Sequence, residues 1–244
     1  LFNGRFMKAL ILVGGKGTRL KPYTITIPKP LLPVGDLPIL EIILKQLKEA
    51  GVDEVVLAVG HMSHLFESFF QDGRRFGLKI SYSFEDEPLG TAGAISLVLD
   101  RLGEDFIVMN GDLLTTLDYK KMLKAHQNKK AAGTIATFKR EIKMEFGIIE
   151  SHTNGMLKSY IEKPSYFYDF GMGVNIVNRK AIAQLLTKGE YLDMPELMLR
   201  LKENGNIVFC YQEDCFWLDM GCHEDYEKAN EVFENRKNDF LPSN

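Results

Sequence analysis

The residues Gly14-Gly15-Lys16-Gly17-Thr18-Arg19-Leu20 gather three glycines, two cations and a hydroxyl in one short run. Glycines let a backbone come close to phosphate and offer its N–H groups to it. Arg19 adds a planar donor fork suited to phosphate oxygens. Two common phosphate motifs do not fit: no Gly-Lys-Ser/Thr follows four spacer residues, and Leu20 stands where a dinucleotide fingerprint needs its third glycine. Further on, Ile27-Pro28-Lys29-Pro30-Leu31-Leu32-Pro33 sets a lysine between two prolines. Proline fixes φ and restricts the residue before it, so Lys29 sits on a stiff, extended segment. Arg19 and Lys29 could thus face one polyphosphate. The same residues also suit a plain glycine-rich turn and a solvated lysine.

The elements that would position these groups alternate in type. Short apolar runs predict strands at 8–13, 54–59, 78–83 and 105–109. Apolar residues at helical spacing predict helices at 38–50, 63–71, 91–102 and 118–128, several stopping at a glycine. Such β-α repetition implies a mainly parallel sheet with helices on both faces. The glycine-rich run then leaves the carboxyl end of the first strand, where open α/β sheets bind ligands. The second half is less regular, with strand character at 132–138, 147–150, 157–161, 172–178, 207–211 and 216–218 and helices at 193–203 and 224–235. No linker, repeat or low-complexity tract interrupts the chain, so one domain over 7–244 is expected. Residues 1–6 read as a tag remnant or a short extension.

Bulk properties narrow the classes. The 244 residues carry a formal net charge of −3, which gives no sign of attraction to nucleic acid or membrane. No apolar run is long enough to span a bilayer. Cys210, Cys215 and Cys222 lack paired spacing and are expected as reduced, packed thiols in a cytoplasmic protein. The histidines, His61 and His64 included, form no metal-ligand pattern.

Taken in order, six segments resemble the sugar-phosphate nucleotidylyltransferases, GDP-mannose pyrophosphorylase-like members in particular. They are the glycine-rich run with Arg19, Pro28-Lys29-Pro30, Glu87-Pro88-Leu89-Gly90-Thr91-Ala92-Gly93, Asn110-Gly111-Asp112, Phe146-Gly147-Ile148-Ile149-Glu150 with Ile161-Glu162-Lys163-Pro164, and Trp217-Leu218-Asp219-Met220-Gly221. The resemblance implies a Rossmann-like three-layer α/β/α fold of the GT-A-like type. It implies transfer of a nucleotidyl group from a nucleoside triphosphate to a sugar 1-phosphate, with Mg²⁺ as cofactor. Gly14, Gly15, Gly17, Thr18, Arg19, Glu87, Gly90, Thr91 and Asp112 would bind the nucleotide, and Arg19 and Lys29 its triphosphate. Asp112 and Asp219 would hold the metal, although an Asp after a strand also caps helices. Gly147, Glu162 and Lys163 would take the sugar phosphate; an exposed ion pair is the plainer alternative for the last two.

The match departs at Gly171-Met172-Gly173, where many members carry a polar residue. Asn175 could replace that contact or serve as a structural amide. Gly90-Thr91-Ala92-Gly93 resembles GDP-mannose-type members more than the thymidylyl enzymes, and that resemblance implies GTP as the donor. No hexapeptide repeat of a C-terminal β-helix occurs in these residues. A homo-oligomer is compatible with the resemblance. A non-catalytic nucleotide-sugar sensor and a transferase acting on a non-sugar phosphate such as phosphocholine are the competing readings.

Overall fold

The computed structural model describes residues 7–241. The expectation for residues 1–6, and the last three residues of the expected domain, lie outside the described residues. The chain begins with β1 (Met7–Leu12) and passes through the glycine-rich turn to the two-residue strands β2 (Pro33–Val34) and β3 (Leu37–Pro38). Then come α1 (Ile39–Glu49), β4 (Val52–Val59), α2 (Ser63–Phe70), β5 (Lys79–Phe84) and the single turn α3 (Gly90–Gly93). The middle of the chain forms β6 (Asp105–Asn110), β7 (Leu113–Thr115), α4 (Tyr119–Lys129) and β8 (Gly133–Lys143), then β9 (Ile148–Ser151) and β10 (Leu157–Ile161). The last part forms β11 (Ser165–Asn178), α5 (Arg179–Ile182), α6 (Met194–Glu203), β12 (Val208–Gln212), β13 (Trp217–Asp219) and α7 (His223–Phe240).

Seven strands form the main sheet in the order β12-β8-β11-β6-β1-β4-β5. β6, β1, β4 and β5 are mutually parallel, and β8 is parallel to β12. Only β11 runs against its neighbours β6 and β8. Alternate strand side chains feed two cores, as a sheet covered on both faces requires. Ala9, Ile11, Val55 and Leu57 pack with Ile43 of α1, Phe66 and Phe70 of α2, Met122 of α4 and Phe233 of α7. Leu10, Val56, Ala58 and Val108 pack on the other side with Ile95, Ile182 of α5 and Leu197 and Leu201 of α6. The result is the expected three-layer α/β/α arrangement around a mainly parallel sheet.

Several boundaries differ from the sequence reading for visible reasons. The helix expected at 91–102 is one α turn followed by 3₁₀ turns at Ala94–Leu97 and Leu99–Arg101. Its first turn is tied sideways instead: the Ala92 and Gly93 N–H groups both donate to the Leu192 carbonyl, each at 2.9 Å. β8 and β11 outrun their apolar cores, pairing from Gly133↔Val177 out to Lys143↔Ser165. Their register shifts between Gly171 and Asn175, where Gly173 takes φ +72° and a side chain would strike the Asn110 amide. Past this bulge the two strands are mostly exposed and lead into the β9–β10 hairpin. The cysteines are free thiols, but only Cys215 and Cys222 are partly packed; Cys210, on the edge strand β12, is exposed.

Candidate active site

Four neighbouring strand ends open on one cleft of about 1020 Å³. Its walls come from residues 12–20 at and beyond the end of β1, Gly60 and His61 after β4, 85–88 with Gly90 and Thr91 after β5, and Asn110 and Asp112 at and beyond the end of β6, joined by Lys29, Pro30 and Gly221. β1 lies between β4 and β6 in the sheet, so connections leave it in both directions and a crevice opens there. The predicted Gly14, Gly15, Gly17, Thr18, Arg19, Lys29, Glu87, Gly90, Thr91 and Asp112 all line this cleft.

The glycine-rich loop is held by short links. Val13 N–H donates to the Ala58 carbonyl at 3.0 Å, and a side chain on Gly14 would meet the Gly60 backbone nitrogen at 3.4 Å. Gly17 adopts φ +59°, and the Thr24 hydroxyl donates to its carbonyl at 2.7 Å. A side chain at position 17 would meet Thr24 Cγ2 at 3.0 Å, so only glycine closes this turn without strain. Arg19 is exposed at the rim, with Gly221 beside its guanidinium.

Asp112 and Asp219 are remote in sequence, and strand pairing brings them together. β7 follows Asp112 directly and pairs antiparallel with β13, placing Asp219 opposite Leu113. Met220 N–H then donates to the Asp112 carbonyl at 3.4 Å. Lys29, 8% exposed, reaches both acids: its Nζ lies 2.5 Å from Asp112 Oδ2 and 3.3 Å from Asp219 Oδ1. Burial pushes the Asp112 carboxyl above the ordinary range, against the charge of Lys29. One ammonium touching both acids means that the carboxylates face the same small space. Among the described residues no group of three or more His, Cys, Asp or Glu could hold a metal. Two carboxylates are still the donor set that suits Mg²⁺, which takes few protein oxygens and completes its shell with water and phosphate.

The segment 87–93 rests on the start of α6. Thr91 Oγ1 donates to Asp193 Oδ1 at 3.3 Å and accepts from Met194 N–H at 2.7 Å. Leu192 N–H donates to the Leu89 carbonyl at 2.9 Å, and a side chain at Gly90 would strike the Leu192 carbonyl. Thr91 N–H donates to the same Asp193 Oδ1 at 3.2 Å, so both its amide and its hydroxyl are committed to the protein.

The residues expected to take the sugar phosphate are not in the lining of this cleft. Gly147, Glu162 and Lys163 sit on the lobe carried by β8 and β11. Tyr160 Oη donates to Glu162 Oε2 at 3.2 Å, and a side chain at Gly147 would meet both groups. Gly147 and Glu162 are thus neighbours, as the sequence reading paired them. Lys163 is exposed, holds φ +43° and has no ion-pair partner among the described residues, so the ion pair with Glu162 is not formed. Asn175 is buried on β11 between Val108 and Ile135, on the sheet face shared with the second core. Lys16, Gly60, His61, Glu85, Asp86, Pro88, Asn110 and Gly221 also line the cleft and were not singled out as nucleotide contacts. The strand-end rule could have found several of them, since Gly60, His61 and Glu85 lie within two residues of the ends of the strands predicted at 54–59 and 78–83.

A mainly parallel sheet, a glycine-rich loop at its switch point and two acids beside it define a nucleotide-handling α/β protein. The family described as nucleotidyl transferase matches residues 8–236, and the chain belongs to that family. A UTP–glucose-1-phosphate uridylyltransferase of Synechocystis is 33% identical over 241 residues, covering 91% of this chain and 62% of that protein. A mannose-1-phosphate guanylyltransferase catalytic subunit beta of Danio rerio is 36% identical over 227 residues, covering 90% and 62%. The chain thus spans about 62% of the length of these curated relatives. Among solved structures, HddC from Yersinia pseudotuberculosis complexed with GMP-PN superposes with a TM-score of 0.72 at 26% identity, covering 93% of this chain and all of that one. A putative glucose-1-phosphate thymidylyltransferase from Bacillus anthracis gives 0.73 at 25% identity, covering 93% and 94%.

Proposed function

We propose that the protein transfers a nucleotidyl group from a nucleoside triphosphate to a sugar 1-phosphate, giving an NDP-sugar and pyrophosphate. The observation that carries this reading is the convergence of Asp112, Asp219 and Lys29 beside the glycine-rich loop in one large cleft. A phosphate oxygen of the sugar 1-phosphate attacks the α-phosphorus, and the bond to the β-phosphate oxygen breaks with its electron pair leaving on pyrophosphate. Both reactants are anions, so the protein mainly neutralises charge and fixes geometry. The loop N–H groups and Arg19 hold the triphosphate, and Lys29 counters charge that builds toward the leaving group. Glu162 accepts from sugar hydroxyls beside Gly147, and Lys163 holds the sugar phosphate. Asp112 and Asp219 would hold Mg²⁺, which supplies charge neutralisation at the α-phosphate when bound. No side-chain nucleophile is required.

GTP is the favoured donor, on the Gly90-Thr91-Ala92-Gly93 segment, the guanylyltransferase relatives and the GMP-PN complex of a similar protein. Mannose or a heptose 1-phosphate is the acceptor this reading favours. Uridylyl and thymidylyl names among the relatives and similar structures keep UTP and dTTP as the alternatives. The cytoplasm is the location this reading favours, in keeping with the free thiols. Among the described residues no helix is long and apolar enough to cross a membrane. Pyrophosphate release with Mg²⁺ over a matrix of nucleoside triphosphates and sugar 1-phosphates tests the proposal. One strong pairing names both substrates. A blank matrix together with tight NDP-sugar binding transfers the protein to the sensor reading.

A further inference from the structure

We propose that Lys29 is an exchangeable counter-ion: its ammonium holds Asp112 and Asp219 together in the metal-free protein and leaves them when a divalent cation binds, swinging toward the triphosphate. The inference rests on the assignment of the two acids as metal ligands in the reading above. Its ground is the contact of one largely buried ammonium with both carboxylates, at 2.5 and 3.3 Å. Two converging acids without a counter-charge repel one another, and Lys29 cancels that repulsion. A divalent cation needs the same oxygens. The two cations therefore compete for one place, and binding of one must displace the other.

The backbone around Lys29 makes the exchange a side-chain motion. Pro28 and Pro30 flank it, Leu31 N–H donates to the Pro28 carbonyl at 2.8 Å, and Leu32 N–H donates to the Lys29 carbonyl at 3.0 Å. The stem of Lys29 runs against the glycine-rich loop: a Cβ on Gly17 would lie 3.4 Å from Lys29 Cβ. Rotation about the stem moves Nζ from the acids to the phosphate side without unfolding the segment. The loop thus gains a cation when metal arrives, which couples metal binding to triphosphate binding. Arg19 at the rim has no such tie to the acids and is the constant part of the phosphate site.

The test uses the whole chain, Mn²⁺ as probe and no nucleotide or sugar. Bound Mn²⁺ is read from the loss of the free-ion electron paramagnetic resonance signal. Lys29→Met should bind Mn²⁺ about tenfold tighter or more than the unaltered protein, since at least one charge-assisted contact no longer has to be broken. Adding Asp112→Asn should remove that gain. Equal or weaker Mn²⁺ binding by a folded Lys29→Met overturns the exchange. In case that variant does not fold, the unaltered protein carries the second measurement. Acylation of Lys29 by an amine-reactive reagent, followed by mass spectrometry, should speed up several-fold with Mn²⁺; an unchanged rate overturns the proposal as well. A bright substrate matrix with no gain in Mn²⁺ affinity sinks the exchange and leaves the transferase standing. A blank matrix with the gain present does the reverse.

Discussion

At the residue scale the cleft divides its charged groups by environment. Asp112 and Asp219 share one ammonium, whereas Arg19 stands at the rim beside Gly221. Asp112→Asn or Asp219→Asn should each lower Mg²⁺-dependent turnover by about a hundredfold or more with an unchanged circular dichroism spectrum, because charge neutralisation by a metal is worth several kcal/mol. Near-normal steady-state rates in both would take them out of the metal role. Lys163→Ala should raise KM for the sugar 1-phosphate about tenfold or more with the triphosphate KM little changed, and Arg19→Ala should do the opposite; reversed effects would mean that the two phosphate sites are exchanged. Glu85 offers a pH test. Burial raises its carboxyl above the usual value, although Leu89 N–H donates to it at 3.1 Å. The folded protein therefore prefers this group protonated, and the stability it contributes below the ordinary Glu value is lost as pH rises through the raised one. Glu85→Gln keeps an acceptor for Leu89 and removes the titration. It should raise Tm by about 1–2 °C at pH 7 and by less at pH 4; a gain that is larger at pH 4 would refute this.

At the element scale, segments far apart in sequence support the site. The glycine-rich loop was legible because strand β1 ends abruptly in glycines, a local signal. The segment 87–93 was legible by motif, but its shape was not. The expected helix is one α turn followed by 3₁₀ turns, and the N–H groups of its first turn, which no helix satisfies internally, donate to the Leu192 carbonyl and the Asp193 carboxylate. Thr91 stands in for the missing side-chain cap of α6 by accepting from Met194 N–H. Thr91→Val should cost about 1–3 kcal/mol in denaturant unfolding, through the unsatisfied Met194 donor. It should also raise the triphosphate KM more than it lowers kcat, since the loosened segment lines the cleft. Unchanged stability and KM would show that the tie holds nothing.

At the scale of the whole molecule, α7 and the β7–β13 pair close the structure around the site. Phe233 on α7 is 1% exposed, packs on Phe240 and lies against Gly35, while Asn230 accepts from Gly35 N–H at 2.9 Å. Phe233→Ala should cost about 3–5 kcal/mol, read as a lowered unfolding midpoint in denaturant. A loss under about 1 kcal/mol would mean that the helix is not part of the core the acids depend on. From the sequence alone came the strand-helix alternation, the glycine-rich loop and the six segments that resemble the family, because each is a pattern of neighbouring residues. Tertiary structure alone decided three things. It placed Asp219 beside Asp112 by strand pairing, buried Lys29 between them, and put Gly147 and Glu162 on a lobe outside the main cleft. Spacing along a chain does not determine such contacts: they follow from which strands pair, and pairing is fixed by the apolar surface that the entire sheet buries.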